Sequence, residues 1–477
     1  MINSLDPLVI GLGYAFIVTQ LLWTATFLID IYIFRLPINA VDMREEKDLD
    51  PADLPHIVLF YPVLRESEQT MRTTFLSLSC LRYPKDRYRI IAIPNRDDPE
   101  TVASLRRLKA EFDFLEIIEV PPTSDSSWDV VWSHWDSNPN AYWWHDGLRA
   151  GERALPPKKT RQLIYAFYSV AAARGAGSEF LVNYIDADSC PPVDHFMAGA
   201  IGIRHFDVLQ ASNIAGNLND TLAASWHAFD HMAWDGRKFA HLTADGKQPY
   251  WVLGKGLFFK ASDLLELGGF HPWVTIEDPE IGERFWINGR RLGFIADPLI
   301  EEVPRTIGRG ITQRKRWIAG FFQALEVPLD ALGYSPLQRF KAWLIFLPCL
   351  GYLITPFGVP AGVWALWTMI EGNSPLPAWS LLLSVTNIAG FGLSQFLLYR
   401  SVWHRSALVL VRKRDRVRYL LRCNPISLMI YGLIWVIPLC IGWHMYRSGG
   451  GLVWERTEKV NANANLIRSR LGKWRLR

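Results

Sequence analysis

Hydrophobic positions along the chain fall into two kinds of run. Four runs are long. Pro7–Ile29, Leu344–Met369 and Trp379–Tyr399 carry no charged residue, and Ile426–Tyr446 carries only His444. About 20 apolar residues cross a bilayer as a helix, and Leu344–Met369 alone would reach about 39 Å. Four crossing segments are therefore expected. The first has no basic leader and too long an apolar stretch for a cleaved signal peptide.

Between roughly Pro55 and Gly333 the runs are short and end in polar clusters: "HIVLFYPVLRE", "YRIIAIPNRDD", "FLVNYIDADS" and "FDVLQASN". Helical patterns such as "ETVASLRRLKAEF" and "TRQLIYAFYSVAAARG" fall between them. Strands alternating with helices predict an α/β domain with a mostly parallel sheet. In such sheets, ligands bind beyond the carboxyl ends of the strands. Glu66, Asp97, Asp98, Asp186 and Asp188 all fall at such ends. The expected organisation is an N-terminal membrane helix (1–34), a soluble domain (54–333) closing in an interfacial helix (307–333), a membrane region (344–446, with spans near 344–369, 379–399 and 426–446), and a basic tail (447–477).

Charge orients these pieces. Arg400–Arg422 is dense in Arg and Lys, whereas the link Ile370–Ala378 has neither. Positive loops stay inside, so the soluble domain is expected in the cytosol of an integral protein of the cell or plasma membrane. A full crossing by Ile426–Tyr446 would put the basic tail outside, against the same rule. Pro438 interrupts that segment, and a cytosolic tail is the favoured expectation.

Composition adds little beyond this. Hydrophobic residues make up 49% and the mean hydropathy is slightly positive, as for a soluble domain joined to membrane spans. A net charge of +4 without a basic-aromatic repeat gives no case for nucleic acid. Five cysteines without a CxxC pair are neither a disulfide framework nor a zinc site.

Three polar motifs carry candidate chemistry. "DADSC" places Asp186 and Asp188 at a strand end, where two carboxylates can hold a hard divalent cation against a diphosphate; a capped turn before Pro191 is the plain alternative. "IEDPEIGERF" sets Glu277 and Asp278 at a helix start. Asp followed by Pro is an ordinary cap, and the same geometry suits a general base. "ITQRKRWIAGFF" brings Gln313, Arg314, Lys315, Arg316 and Trp317. It reads either as an interfacial helix, basic toward headgroups and with Ile318, Phe321 and Phe322 toward lipid, or as a phosphate contact at Arg316 beside an aromatic wall at Trp317. His227 and His231 have helical spacing but no third ligand. Trp128, Trp132, Trp135, Trp143 and Trp144 suit either sugar stacking or packing.

Taken in order before a membrane span, D-x-D, E-D and Q-x-x-R-W resemble the membrane-embedded family 2 glycosyltransferases, which include the cellulose, chitin and hyaluronan synthases and the ceramide glucosyltransferases. "GKGLFFKASDLLELGGF" and "KKTRQLIYAF" are similar to further segments of that family. The resemblance implies a GT-A-like nucleotide-sugar-binding domain and a metal-dependent, inverting transfer of a sugar to an acceptor hydroxyl. A polysaccharide synthase-like activity is expected, the alternative being a single addition to a membrane lipid. Implied roles follow residue by residue. Asp186 and Asp188 would hold Mg²⁺ or Mn²⁺. Glu66, Asp98, Lys159, Asp186, Gln313 and Arg316 would bind the donor, with a UDP-sugar favoured. Asp278 would be the base with Glu277 beside it, and Trp317 and Gly254 would face a carbohydrate or lipid acceptor among membrane lipids. The chain departs from the family at "IPNRDDPET", where Asn95, Asp97 and Asp98 all compete for the nucleotide and Asp98 is preferred. It departs again at Ile164, where the family has Asn.

Overall fold

The computed structural model describes residues 7–175, 178–234, 238–243, 249, 252–328, 332–372, 374, 376–449 and 459–474. Parts of the expected N-terminal helix (1–6), interfacial helix (329–331), outer link (373 and 375) and basic tail (450–458 and 475–477) lie outside the described residues.

A single seven-stranded sheet runs through the soluble region: β1 (Ile57–Val63), β2 (Tyr88–Pro94), β3 (Leu115–Ile117), β4 (Leu181–Tyr184), β5 (Val208–Ala215), β6 (Leu257–Lys260) and β7 (Leu292–Glu301). Its order is β3-β2-β1-β4-β6-β5-β7. All neighbours are parallel except β6, which runs against both β4 and β5. β1 is buried at every position, and so is β4. Continuous apolar runs rather than alternation are what a sheet covered on both faces requires. The register Phe60↔Tyr184 brings the carboxyl ends of β1 and β4 to one edge. β7 slips register against β5 between Ala211 and Asn213, opposite the Asp297–Pro298 stretch, where proline has no N–H to give.

The helices, in chain order, are α1 (Pro7–Arg35), α2 (Glu68–Leu78), α3 (Pro99–Glu111), α4 (Asp129–Ser137), α5 (Tyr142–His145), α6 (Lys159–Arg174), α7 (His195–Gly202), α8 (Leu222–Ala233), α9 (Phe239–His241), α10 (Ala261–Glu266), α11 (Asp278–Ile287), α12 (Ile307–Ala324), α13 (Pro336–Leu350), α14 (Thr355–Ile370), α15 (Ala378–Ser406), α16 (Lys413–Arg422), α17 (Pro425–Arg447) and α18 (Ala464–Trp474). Among the described residues, three helical stretches are long and apolar enough to cross a membrane: Pro7–Arg35, Leu382–Ser406 and Pro425–Arg447. The expected 344–369 span is not one straight helix. The chain bends by 52° between Pro336–Phe346 and Gly351–Gly358. Pro356 restarts the helix in the first turn of α14, where its missing N–H costs nothing. Pro438, the expected break in the last segment, lies inside a continuous α17.

The tryptophans form core. Trp128 stacks on Trp132, which stacks on Trp144, and all five are buried. Trp135 Nε1 donates to the Gly268 carbonyl at 3.0 Å and lies 3.1 Å from Tyr168 Oη. Burying an indole is favourable when its N–H finds such a partner.

Candidate active site

One cavity of about 220 Å³ opens at the carboxyl edge of β1 and β4. Asp186 and Asp188 enter it from the turn after β4, Glu277 and Asp278 from the start of α11, and Lys159 from the start of α6. Glu66, Gly254, Gln313, Arg316 and Trp317 complete that wall. Asp98 is elsewhere. Its carboxylate caps α3, accepting from Thr101 N and Oγ1 and from Arg65 N at 3.3, 2.6 and 3.0 Å. Of its two competitors, Asn95 Oδ1 accepts from Arg161 at 2.9 Å, and Asp97 lies 3.9 Å from the same guanidinium.

Lys159 is the hub of the acidic side. Its ammonium lies 2.8 Å from Asp186 and 2.9 Å from Glu277. Burial opposes the charge on Lys159, but Asp186, Glu277 and Asp278 outweigh it and raise its pKa. Burial likewise pushes the Asp186 carboxyl up; Lys159 overrides that and leaves it below the usual range. Asp278 behaves oppositely. Burial, reinforced by the neighbouring Glu277, lifts it to about 7 against the opposing pull of Lys159 and of the Gly254 N–H. That N–H donates to Asp278 Oδ2 at 2.8 Å. A Cβ on Gly254 would stand 3.0 Å from Lys159 Nζ, crowding that ammonium, and 3.4 Å from Asp278 Cγ, at contact distance.

The "QRKRW" helix is packed against other helices. α12 packs against α11 and α17, and Ile318 and Phe322, expected toward lipid, are buried. Arg314, expected toward headgroups, is 2% exposed. It donates to Asp230 at 2.9 Å amid Trp317, Tyr431 and Trp435, at 5.7, 5.6 and 5.0 Å from their ring centres. This anchor turns Arg316 and Trp317 to the cavity. His227, one of the spaced histidine pair, meets Tyr431 Oη at 2.9 Å. Its partner His231 packs its ring against Trp317. No cluster of three or more His, Cys, Asp or Glu able to hold a metal occurs among the described residues.

Several lining residues are not among those singled out from the sequence. Lys255 pairs with Glu301 at 2.8 Å, and Glu301 accepts from Ser189 Oγ at 2.6 Å. Glu302 donates its N–H to Asp188 Oδ2 at 2.9 Å. "PLIEEVPR" ends a strand with two acids before a proline, much as "DADSCPP" does, and was legible on those grounds. Lys459, far along the chain, donates to Asp188 Oδ2 at 2.6 Å; nothing in its own sequence neighbourhood marks it. Part of the cavity lining is apolar, with Phe239, Leu242, Phe321, Ile345 and Phe346.

The family model described as "Glycosyl transferase family group 2" matches residues 181–393. This stretch runs from β4 through the acidic and Q-x-x-R-W motifs into α15. The match supports a glycosyltransferase of the family 2 group. Among solved structures, the mannosyltransferase PcManGT from Pyrobaculum calidifontis, in complex with GDP-Man and Mn²⁺, is similar at 16% identity and a TM-score of 0.48, over 91% of this chain and 97% of that one. TarS (residues 1–349) of S. aureus is similar at 10% identity and a TM-score of 0.33, over 84% and 93%. No curated protein sequence matches significantly.

Proposed function

We propose that the protein transfers a sugar, with inversion and with a divalent cation, from a nucleotide-sugar to an acceptor hydroxyl at the inner face of a membrane, in the manner of a polysaccharide synthase. The observation that carries this reading is the gathering of Asp186, Asp188, Lys159, Asp278, Arg316 and Trp317 around one cavity. The donor set fits a hard cation that takes one or two protein carboxylates and fills its shell with phosphate and water. Asp186 and Asp188 would hold Mg²⁺ or Mn²⁺, which when bound supplies charge neutralisation to the leaving diphosphate.

The chain's own groups do the rest. Arg316, at the diphosphate end, adds fixed positive charge where negative charge develops. Lys159 holds Asp186 and Glu277 in place. Asp278 accepts the acceptor's hydroxyl proton at Oδ1, while Oδ2 is fixed by the Gly254 N–H. A pKa near 7 suits a base that works at neutral pH. One displacement needs one base and no covalent nucleophile. Glu66 faces the nucleotide, for which a UDP-sugar is favoured, and Trp317 faces the acceptor.

The apolar side of the cavity favours a second reading, a single addition to a lipid. Phe239, Leu242, Phe321, Ile345 and Phe346 offer no hydrogen bond to a sugar chain. Purified protein incubated with labelled UDP- and GDP-sugars, with and without Mn²⁺, separates the two. A high-mass polymer supports the synthase, and label in an organic extract supports the lipid acceptor. No turnover of any donor in this panel would refute both.

A further inference from the structure

The chain returns to the acidic edge after its last apolar helix. Residues 459–463 lie across the turn that carries Asp188, and α18 then packs against α2, with Ile467 fully buried. The contacts are specific. Lys459 Nζ donates to Asp188 Oδ2 at 2.6 Å and to the Glu302 carbonyl at 3.2 Å. The N–H groups of Val460 and Ala462 both donate to the Glu302 carboxylate, at 3.0 and 2.6 Å. Between them Asn461 sits at φ 55°, a left-handed turn that Asn tolerates better than most residues, and its Oδ1 accepts from Thr73 Oγ1 at 2.7 Å.

The seat is shaped for this segment. A Cβ at Gly216, beside the end of β5, would stand 1.9 Å from Asn463 Oδ1, so this glycine makes the room that the Asn463 side chain occupies. The Glu302 carboxylate, buried at the sheet edge, has its two oxygens turned to the two tail amides. The Lys459 ammonium is itself mostly buried, and its charge is balanced by Asp188.

Asp188 Oδ2 therefore already receives two donors, one of them a full positive charge. A divalent cation on that carboxylate would stand against an ammonium within a few ångströms, in a site where screening is weak. A cation on that oxygen would have to displace the ammonium.

We infer that Lys459 is a built-in counter-ion of Asp188, and that tail residues 459–463 and the divalent cation compete for that carboxylate, so that cation binding releases the tail from the acidic edge. The inference rests on the reading of Asp186 and Asp188 as the cation's ligands. It makes cation affinity a property of the tail as well as of the aspartates. When no cation is present, the tail balances the charge of Asp188.

Two measurements on the full-length protein in detergent test this. Mn²⁺ binding, read by electron paramagnetic resonance in the presence of UDP or GDP, should be tighter in Lys459→Met than in wild type by about 10-fold or more, since the competitor is gone. Lys459→Arg, which keeps the charge, should bind as wild type does. In the wild-type protein, hydrogen exchange at the Val460 and Ala462 amides should accelerate when Mn²⁺ and the nucleotide are added. Equal Mn²⁺ affinity in wild type and Lys459→Met, with both amides still protected in the wild-type complex, would overturn the inference and leave the cation reading intact. No Mn²⁺ binding to either protein would overturn both.

Discussion

Replacing Arg314 by Met tests whether the QRKRW helix is held from within. The guanidinium and Asp230 are both buried, 2.9 Å apart, and Tyr431 Oη is the next partner of that carboxylate at 3.5 Å. Unit charges about 4 Å apart attract by about 4 kcal/mol at an effective dielectric near 20. Removing one member of a buried pair costs about 3–5 kcal/mol, because the other is left unpaired. Arg314→Met and Asp230→Asn should each destabilise by that amount, while the double variant should be no worse than either, a coupling of about 3 kcal/mol. Guanidinium-induced unfolding in detergent, followed by tryptophan fluorescence, measures the cycle. The single variant also carries a pH signature. Burial already raises the Asp230 carboxyl, with Arg314 offsetting it, so loss of Arg314 raises it further. An acid whose folded value lies above its unfolded value holds its proton better when folded. Stability of Arg314→Met should therefore fall as pH rises from the unfolded carboxylate range toward the folded value. Single effects that simply add, within about 0.5 kcal/mol, would refute the anchor.

Other expectations follow from the same geometry. Asp278→Asn should keep nucleotide-sugar binding but lose about 10²–10⁴ in turnover; lost binding in calorimetry would show that the base is misassigned. Because Asp278 must be unprotonated to act, wild-type turnover should decline as pH falls below about 7, and a rate profile flat down to the ordinary carboxylate range would count against it. Gly254→Ala should depress turnover while circular dichroism stays unchanged, since its methyl group would crowd the Lys159 ammonium. Trp135→Phe should cost about 1–3 kcal/mol in unfolding, from the lost N–H bond and the space left, with no effect on donor affinity.

What the sequence makes legible is whatever repeats locally. Buried strands such as Ile57–Val63 and Leu181–Tyr184 read as short apolar runs. Carboxylates that follow a strand or open a helix read as strand-end chemistry, and the cavity gathers Asp186, Asp188, Glu277 and Asp278 as that reading places them. Asp98 followed the same local logic, yet its own helix needed a cap and took it. Helical periodicity could not show that Arg314 points inward, because its partner Asp230 lies on another helix and its aromatic neighbours Tyr431 and Trp435 on a third. Nor could any local pattern reveal that Lys459 meets Asp188, since only the folded chain brings those two together. The bend between α13 and α14 was written in Gly351 and Pro356, but uncharged composition alone concealed it.

The reversed strand β6 presents its leading residues, not its trailing ones, to the edge where the acidic side chains gather. A parallel strand offers its following loop to this edge, but β6 offers the residues that precede it, and so the donor of the Asp278 hydrogen bond lies upstream of its strand. Leu253 is pinned by Gln210 and Gly256 by Tyr184. A little earlier in the chain, Lys238 is paired with Asp30, and His241 Nδ1 lies 2.8 Å from the Leu36 carbonyl at the foot of α1. The first apolar helix is thus tied, through Asp30 and Leu36, to residues that stand shortly before the glycine facing Asp278.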